Sequence, residues 1–423
     1  MFELVELKKD EYENFVKNNK YKSHFLQSYA WGQFCKKEKK MIPYYIGLKN
    51  NKKIVATALL LQKKLPLGYS YFYSPRGYVL DYNDKETLSN FTSKLKEFVK
   101  KKKGIYIKID PDIKLQNLTI DGEVIKGDNN FELVNFLKKI GYKHLGFNKA
   151  FEHNQPRYTF RLELKESIED VKNGFHNTTK KVINKGNMYN LEVKKNDLKY
   201  IDDFYETMIE TAERENLALY SKEYFTEFYR MLHESNQSDI YIVYLNKEET
   251  KKVINNKINE LNEQKEKLKT ENKIKEIDNQ IVKQEKLLNE VDSIDKEKFP
   301  LSSIITAKYG DKVWTIHGGN SSKLRELNSN YLIYYEIIKD AVNDKYKVID
   351  FFGTSYNPVT TDPEYGIYLF KKRLGGEYTE FIGEFDLITN RKMYFLFNKL
   401  LPIYRKIVKK KNRKEIKNGT RRA

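Results

Sequence analysis

One cysteine, Cys35, stands in 423 residues. An internal disulfide is therefore excluded, a zinc site is disfavoured, and a reducing compartment is implied. The longest apolar run, near Ala56-Thr-Ala-Leu-Leu-Leu61, is far too short to span a bilayer. No N-terminal stretch has the basic, apolar and small-residue order of a secretion signal, so the expectation is a soluble cytosolic protein. Nucleotide and nucleophile signals are missing as well. There is no GxxxxGK[ST] loop, no strand-linked GxGxxG and no G-x-S-x-G elbow, and the six histidines at 24, 144, 153, 176, 233 and 317 show no metal-ligand spacing. Neither a metal nor a cofactor is expected. An enzyme without a built-in electrophile works mainly by positioning two substrates, one of them already activated.

What is present is charge, tyrosine and two heptad ladders. The chain is 39% apolar with 32 Tyr, which supports one large or two ordinary cores. Its +19 charge is unevenly placed. Lys247 to Lys298 holds 13 Lys against 13 Asp plus Glu, whereas Arg405 to Ala423 holds ten Lys or Arg against the single acid Glu415, a surplus of nine. That tail suits nucleic-acid phosphates or an anionic membrane surface, or is simply a solvated end. In the neutral stretch Ile254, Ile258, Leu261 and Leu268 follow 4-3 spacing with Lys265 in the remaining slot; Ile274, Ile277, Ile281, Leu288 and Val291 repeat it with Gln284 in the weak slot. Each ladder buries one seam. Thr270-Glu271-Asn272 breaks the register between them, which predicts an antiparallel coiled-coil hairpin about 30 Å long. It replaces the turn between the strands Asp239–Leu245 and Pro300–Ala307. Such a rod either reaches for a large partner or serves as a spacer or oligomerisation strut.

The remainder alternates strand and helix periods. Helices are predicted over Lys9–Asn19, Lys85–Lys101 and Phe131–Ile140, with strands at Tyr44–Gly47, Ile54–Leu61, Tyr69–Tyr73 and Ile105–Ile109. A similar order restarts at Tyr158–Leu164 and runs through helices near 175–183, Asp203–Asn216, Lys222–His233 and Ser329–Val342 to the strands Trp314–Ile316 and Val348–Phe352. A last strand region at Glu380–Phe385 precedes a terminal helix from Asn390. The fold class is thus mixed α/β, α+β in detail, with two units of like element order. We expect a first unit over 1–155, completed by 378–412, a second over 156–377, the arm over 247–298 and the basic tail over 405–423.

The densest candidate site is Phe351-Phe-Gly-Thr-Ser-Tyr356 followed by Tyr365-Gly-Ile-Tyr-Leu-Phe-Lys-Lys-Arg-Leu-Gly-Gly-Glu377 and Glu380-Phe-Ile-Gly-Glu384. Together with Phe25-Leu-Gln-Ser-Tyr-Ala-Trp-Gly-Gln-Phe34, Ser74-Pro-Arg-Gly77, Ile109-Asp-Pro111 and Gln155-Pro-Arg-Tyr-Thr-Phe160, these segments resemble the FemABX family of peptidoglycan bridge-forming aminoacyltransferases, over almost the whole chain. The resemblance implies tandem acyltransferase-like (GNAT) folds with a helical arm in the second. It implies transfer of glycine, alanine or serine from aminoacyl-tRNA to the stem-peptide amine of lipid II or UDP-MurNAc-pentapeptide, without a cofactor. It also implies a cytoplasmic protein at the inner membrane face, with a paralogue or a second copy as a further partner. A tRNA ester is already activated, so the protein need only align the amine, stabilise the oxyanion and help move a proton.

Carried over by position, Phe370-Lys371 matches the family's Phe-Lys pair, where the lysine is assigned to the tRNA end and the developing negative charge. Asp110 matches a carboxylate assigned as general base; its other reading is a strand-end cap. The family's diphosphate lysine falls on Cys35, leaving Lys36 or Lys37 to supply the charge. The family's Arg and Tyr after Ala-Glu-Arg214 fall on Tyr220 and Tyr224, so only the tyrosine is kept. His317 stands where some members place a substrate-contacting tyrosine, and Tyr368 is a further substrate-contact candidate in the Phe-Lys motif. Arg76 and Arg157 read as structural more readily than as ligands, although Arg76 is kept as a substrate candidate. Two other readings remain: the same reaction on a protein acceptor, and a non-enzymatic RNA-binding coiled-coil protein.

Overall fold

The computed structural model describes residues 1–19, 24–149, 154–185 and 188–398. The expected basic tail and the last part of the 378–412 stretch lie outside the described residues.

Two mixed sheets carry the chain. The first orders its strands Phe2–Glu6, Ile42–Asn50, Lys53–Lys64, Ser70–Ser74, Gly104–Ile109, Phe385–Ile388 and Tyr142–His144. The second runs Glu192–Lys195, Ile240–Asn246, Lys298–Tyr309, Lys312–Asn320, Val348–Thr354, Tyr158–Glu163, Glu377–Phe381, Lys114–Leu118 and Val124–Asn129. Each holds an antiparallel meander followed by a helical crossover to a parallel strand. Helix Lys85–Lys101 joins Ser70–Ser74 to Gly104–Ile109, and helix Ser329–Asn343 joins Lys312–Asn320 to Val348–Thr354. A parallel pair needs such a crossover because the end of one strand and the start of the next lie at opposite ends of the sheet. The duplicated order read from sequence is therefore visible as duplicated topology.

Local chemistry accounts for the helices. Asp84 caps the helix Lys85–Lys101 by accepting the Thr87 N–H at 3.0 Å, and Leu88, Phe91, Leu95 and Val99 fall on one buried stripe. Ser28 caps helix Tyr29–Glu38 through the Trp31 N–H at 3.1 Å. Lys247–Glu266 and Glu271–Asp292 form the hairpin, inserted where Asn246 pairs with Lys298. Ion pairs Lys251–Asp292 (2.7 Å) and Lys265–Asp278 (2.6 Å) bridge the two helices in one antiparallel register. Ile254 and Leu261 are buried in the seam, but in the second helix Leu287 is buried more deeply than the predicted Leu288. The reason is tertiary: Leu287, Val291 and Ile294 belong to the core of the second sheet.

The strand region predicted at Glu380–Phe385 is two strands. Glu377–Phe381 pairs with Tyr158–Glu163 in the second sheet, and Phe385–Ile388 pairs with Gly104–Ile109 in the first. Gly383 makes the change of sheet at φ +90, a conformation that costs a glycine little. The hairpin of Lys114–Leu118 and Val124–Asn129, early in the chain, also joins the second sheet. Chain order and sheet membership thus cross over twice. A shared core closes the junction, in which Phe25, Trp31 and Phe34 from the first half pack with Phe204, Phe225, Phe228 and Trp314 from the second.

Candidate active site

The sequence motifs meet one another at that junction. Gln27 donates to the Pro75 carbonyl at 2.6 Å and accepts the Leu59 N–H at 2.8 Å, which ties the first motif to the Ser-Pro-Arg-Gly turn. The Arg76 N–H donates to Asp110 at 2.5 Å and the Arg76 guanidinium to the Pro156 carbonyl at 3.3 Å. Arg157 in turn donates to the Phe381 carbonyl at 3.0 Å and pairs with Glu380. The guanidinium groups of Arg76 and Arg161 both lie over the Phe381 ring, at 4.6 and 4.8 Å. Cation–ring packing of this kind keeps buried guanidinium groups partnered.

Asp110 is buried among these groups. Its second oxygen accepts the Tyr73 hydroxyl at 2.7 Å, so both oxygens are engaged. Burial raises its pKa to about 7; the Arg76 charge opposes the shift and the Glu384 charge adds to it. Arg76 itself sits at φ +58, strain that the Asp110 contact holds in place.

Lys371 lies on helix Tyr365–Arg373 and is 4% exposed. Its ammonium donates to the Phe352 carbonyl at 3.0 Å and the Gly353 carbonyl at 2.6 Å. Desolvation lowers its pKa to about 7, with the Asp350 charge opposing. Phe370, the other half of the pair, packs edge-on against Tyr331 and Tyr334, with centroids 4.9 Å away in each case. Tyr368 donates to Asn357 at 3.1 Å and packs near Phe160. The helix ends at Gly375 and Gly376 with φ +83 and +93. A Cβ on Gly376 would come within 2.5 Å of the Arg161 carbonyl, so only glycine lets the helix end this close to strand Tyr158–Glu163. Close by in sequence, the buried hydroxyls of Thr354 and Ser355 have no hydrogen-bond partner among the described residues.

A second group forms against helix Lys222–His233. Tyr220 and Tyr224 stack at 4.1 Å. Half-buried His317 is ringed by Phe225 (5.1 Å), Phe228 (5.2 Å) and Tyr224 (6.4 Å). Desolvation brings its pKa down to about 4 and the Lys39 charge adds to the shift, so it is neutral near pH 7. Cys35 is fully buried, with its thiol pushed up to about 12 by burial. Lys36 is exposed and Lys37 pairs with Glu227 at 2.6 Å. The cation facing this group is Lys39, whose ammonium lies 4.7 Å from the centre of the Trp31 ring. Sequence reasoning passed over it. The signal was the spacing 31, 35, 39, one helix face read at i+4 intervals, which carries the charge one turn past Cys35. Also passed over were Arg161 and Asp350, which pair at 2.8 Å. A surface cleft of about 620 Å³ is lined by Met1, Phe2, Lys49, Lys94 and Lys101 among others and includes none of these site residues.

The FemAB family model matches residues 7–401. The chain belongs to the FemAB family. Lipid II:glycine glycyltransferases of Staphylococcus aureus strains MRSA252 and N315 are each 28% identical over 421 residues, covering 95% of this chain and 96% of the relative. A crystal structure of FemX aligns at TM-score 0.76 with 28% identity, covering 93% of this chain and 99% of that one. This FemAB chain therefore has the mixed α/β fold that its sequence implied, and shares it with FemX. Among its described residues no helix is long and apolar enough to cross a membrane, and no cluster of His, Cys, Asp and Glu has a metal-holding arrangement.

Proposed function

We propose that this FemAB-family transferase moves glycine from glycyl-tRNA to the stem-peptide amine of lipid II, building the peptidoglycan interpeptide bridge at the inner membrane face. The observation that carries the reading is Lys371. A buried lysine held on two carbonyls at the end of an ordered helix costs stability that packing alone would not require. In the protonated form it keeps N–H capacity beyond those two carbonyls for the tRNA end or the tetrahedral oxyanion. Near pH 7 it lies at its titration point, so an approaching anion draws it to the charged form. The unpartnered hydroxyls of Thr354 and Ser355 are the groups we assign to the donor's aminoacyl end, because buried polar atoms call for partners.

For the acceptor, Lys39 takes the place that Lys36 and Lys37 were expected to fill, supplying charge for the precursor diphosphate. Tyr220, Tyr224 and neutral His317 offer hydrogen bonds and ring faces to the sugar and peptide. Asp110, with both oxygens occupied, holds the Arg76 turn. We assign it to position rather than to proton transfer. Arg76 is likewise a junction residue, and Tyr368 orders the Asn357 segment.

The test is transfer of radiolabelled glycine from charged tRNA to purified lipid II and to UDP-MurNAc-pentapeptide, with wild type beside Lys371→Ala. Label in lipid II that the variant loses supports the reading. Transfer to UDP-MurNAc-pentapeptide alone would replace the lipid-linked acceptor by a soluble one, and absence of label in either would overturn the peptidoglycan assignment.

A further inference from the structure

Strand Val348–Thr354 is irregular at the place where its carbonyls meet Lys371. Its pairing with Tyr158–Glu163 shifts between Asp350 and Gly353, and Phe352 takes φ +58, the left-handed region that a bulky residue rarely enters. The cause is one carboxylate. The Asp350 Oδ1 accepts the Phe352 N–H at 2.8 Å and the Thr159 hydroxyl at 2.5 Å, pulling the strand into a local turn. That turn presents the successive Phe352 and Gly353 carbonyls to the same ammonium. The carboxylate is itself fixed. Its Oδ2 accepts from Arg161 Nε at 2.8 Å, and Arg161 Nη2 reaches on to Asp112 at 2.7 Å. Asp112 follows the first sheet's strand Gly104–Ile109 and donates its N–H to the Arg76 carbonyl at 3.1 Å. A chain of charged groups thus runs from the motif turn at the junction to Lys371.

We infer that Asp350, clamped by Arg161 and Asp112, is a positioning residue that sets both the location and the charge state of Lys371, so that the packing of the two sheets governs the reactive lysine. The inference rests on the reading that Lys371 acts in transfer. The charged and titratable groups around this part of the fold are Asp350 on strand Val348–Thr354, Arg161 behind it on strand Tyr158–Glu163, Asp112 beyond Arg161, Tyr334 on helix Ser329–Asn343, and Tyr368 and Lys372 on the lysine's own helix. Lys372 is engaged by Asp121. The Asp350 charge favours the ammonium, while Arg161 offsets that charge. Removing one or the other should therefore move Lys371 in opposite directions, which loss of a mere strut would not do.

The experiment is an NMR titration of the Lys371 side chain in the full chain, assigned by its disappearance in Lys371→Arg, over about pH 5 to pH 10, for wild type, Asp350→Asn and Arg161→Gln. Single-turnover transfer is measured on the same samples. Asp350→Asn is expected to lower the lysine midpoint by about one unit, cutting the charged fraction about tenfold above it, and Arg161→Gln to raise it. Asp350→Glu, which keeps the charge but misplaces the oxygen on Phe352 and Thr159, is expected to slow transfer without the downward move. Midpoints that stay put, or that move the same way in Asp350→Asn and Arg161→Gln, overturn the inference. The titration reads the positioning whether or not transfer needs the lysine; if Lys371→Ala still transfers glycine, the reading of the site fails instead.

Discussion

Lys371 and Asp110 are buried ionisable groups whose charged forms are disfavoured, and the signs of their effects on stability differ. Lys371 has a folded pKa of about 7 against an unfolded value near 10.5, so between those values the unfolded chain binds more protons. Its penalty is full below about pH 7 and relieved as pH rises towards about 10. Asp110 has a folded pKa of about 7 against about 4 unfolded, so the stability it contributes when protonated is lost between about pH 4 and pH 7. Lys371→Met, which fills the same volume without charge, is expected to raise Tm at pH 6 while abolishing transfer. Calorimetry beside the glycine assay checks both, and a fall in Tm would show that the two carbonyl bonds outweigh desolvation. Asp110→Asn keeps one acceptor for the Arg76 N–H and is expected to hold transfer within about tenfold, where loss of a general base would cost about a hundredfold or more. Asp110→Ala leaves the Arg76 turn unsatisfied and is expected to cost about 1–3 kcal/mol in denaturant unfolding.

Between neighbouring elements the contacts are close enough for single atoms to matter. Gly376→Ala would set a Cβ 2.5 Å from the Arg161 carbonyl at φ +93. The strand that carries Arg161 must then move, so transfer is expected to fall together with Tm, and Arg161→Gln should add little further to the loss in the double variant. The arm divides differently. Ile254, Leu287 and Val291 at its base belong to the second core, whereas beyond Leu261 the two helices bury mainly each other. Excising residues 262–281, which face each other in the Lys265–Asp278 register, with a short glycine turn in their place is expected to leave the body's Tm within about 2 °C, while Leu287→Ala costs about 2–5 kcal/mol. A large loss from the excision would place the distal arm in the folding unit.

Taken whole, the molecule has no clean boundary between its halves. Glu377–Phe381 and Phe385–Ile388 join different sheets, the early hairpin 114–129 joins the second, and one aromatic core holds residues from both. Unfolding is expected to be a single calorimetric transition with matching calorimetric and van't Hoff enthalpies. Phe228→Ala, which removes a ring touching Trp31, Phe34 and His317, is expected to lower that one transition by about 3–5 kcal/mol rather than split it. Two resolved transitions would mean that the halves fold apart.

The local periods and punctuation of the sequence were enough for the fold class, the doubled element order and the arm, because each depends on residues within a few turns of one another: the stripe at 88, 91, 95 and 99, the ladder from Ile254, the glycines at 375 and 376. The motif residues marked the family because they are chemically unusual, yet their spacing does not say whom they touch. That Gln27 holds the Pro75 carbonyl, Asp110 the Arg76 turn and Arg157 the Glu380 carboxylate, that Lys39 rather than Lys36 packs over the Trp31 ring, and that Asp350 bends a strand towards Lys371 were decided by tertiary structure alone. Burial and charge pairing are properties of groups brought together from positions as far as 276 residues apart in the chain, as Lys108 and Glu384 are. A carboxylate, a guanidinium or an ammonium has the same formula on the surface as in the core, and only its surroundings settle whether it is charged, spent on a hydrogen bond or left to react.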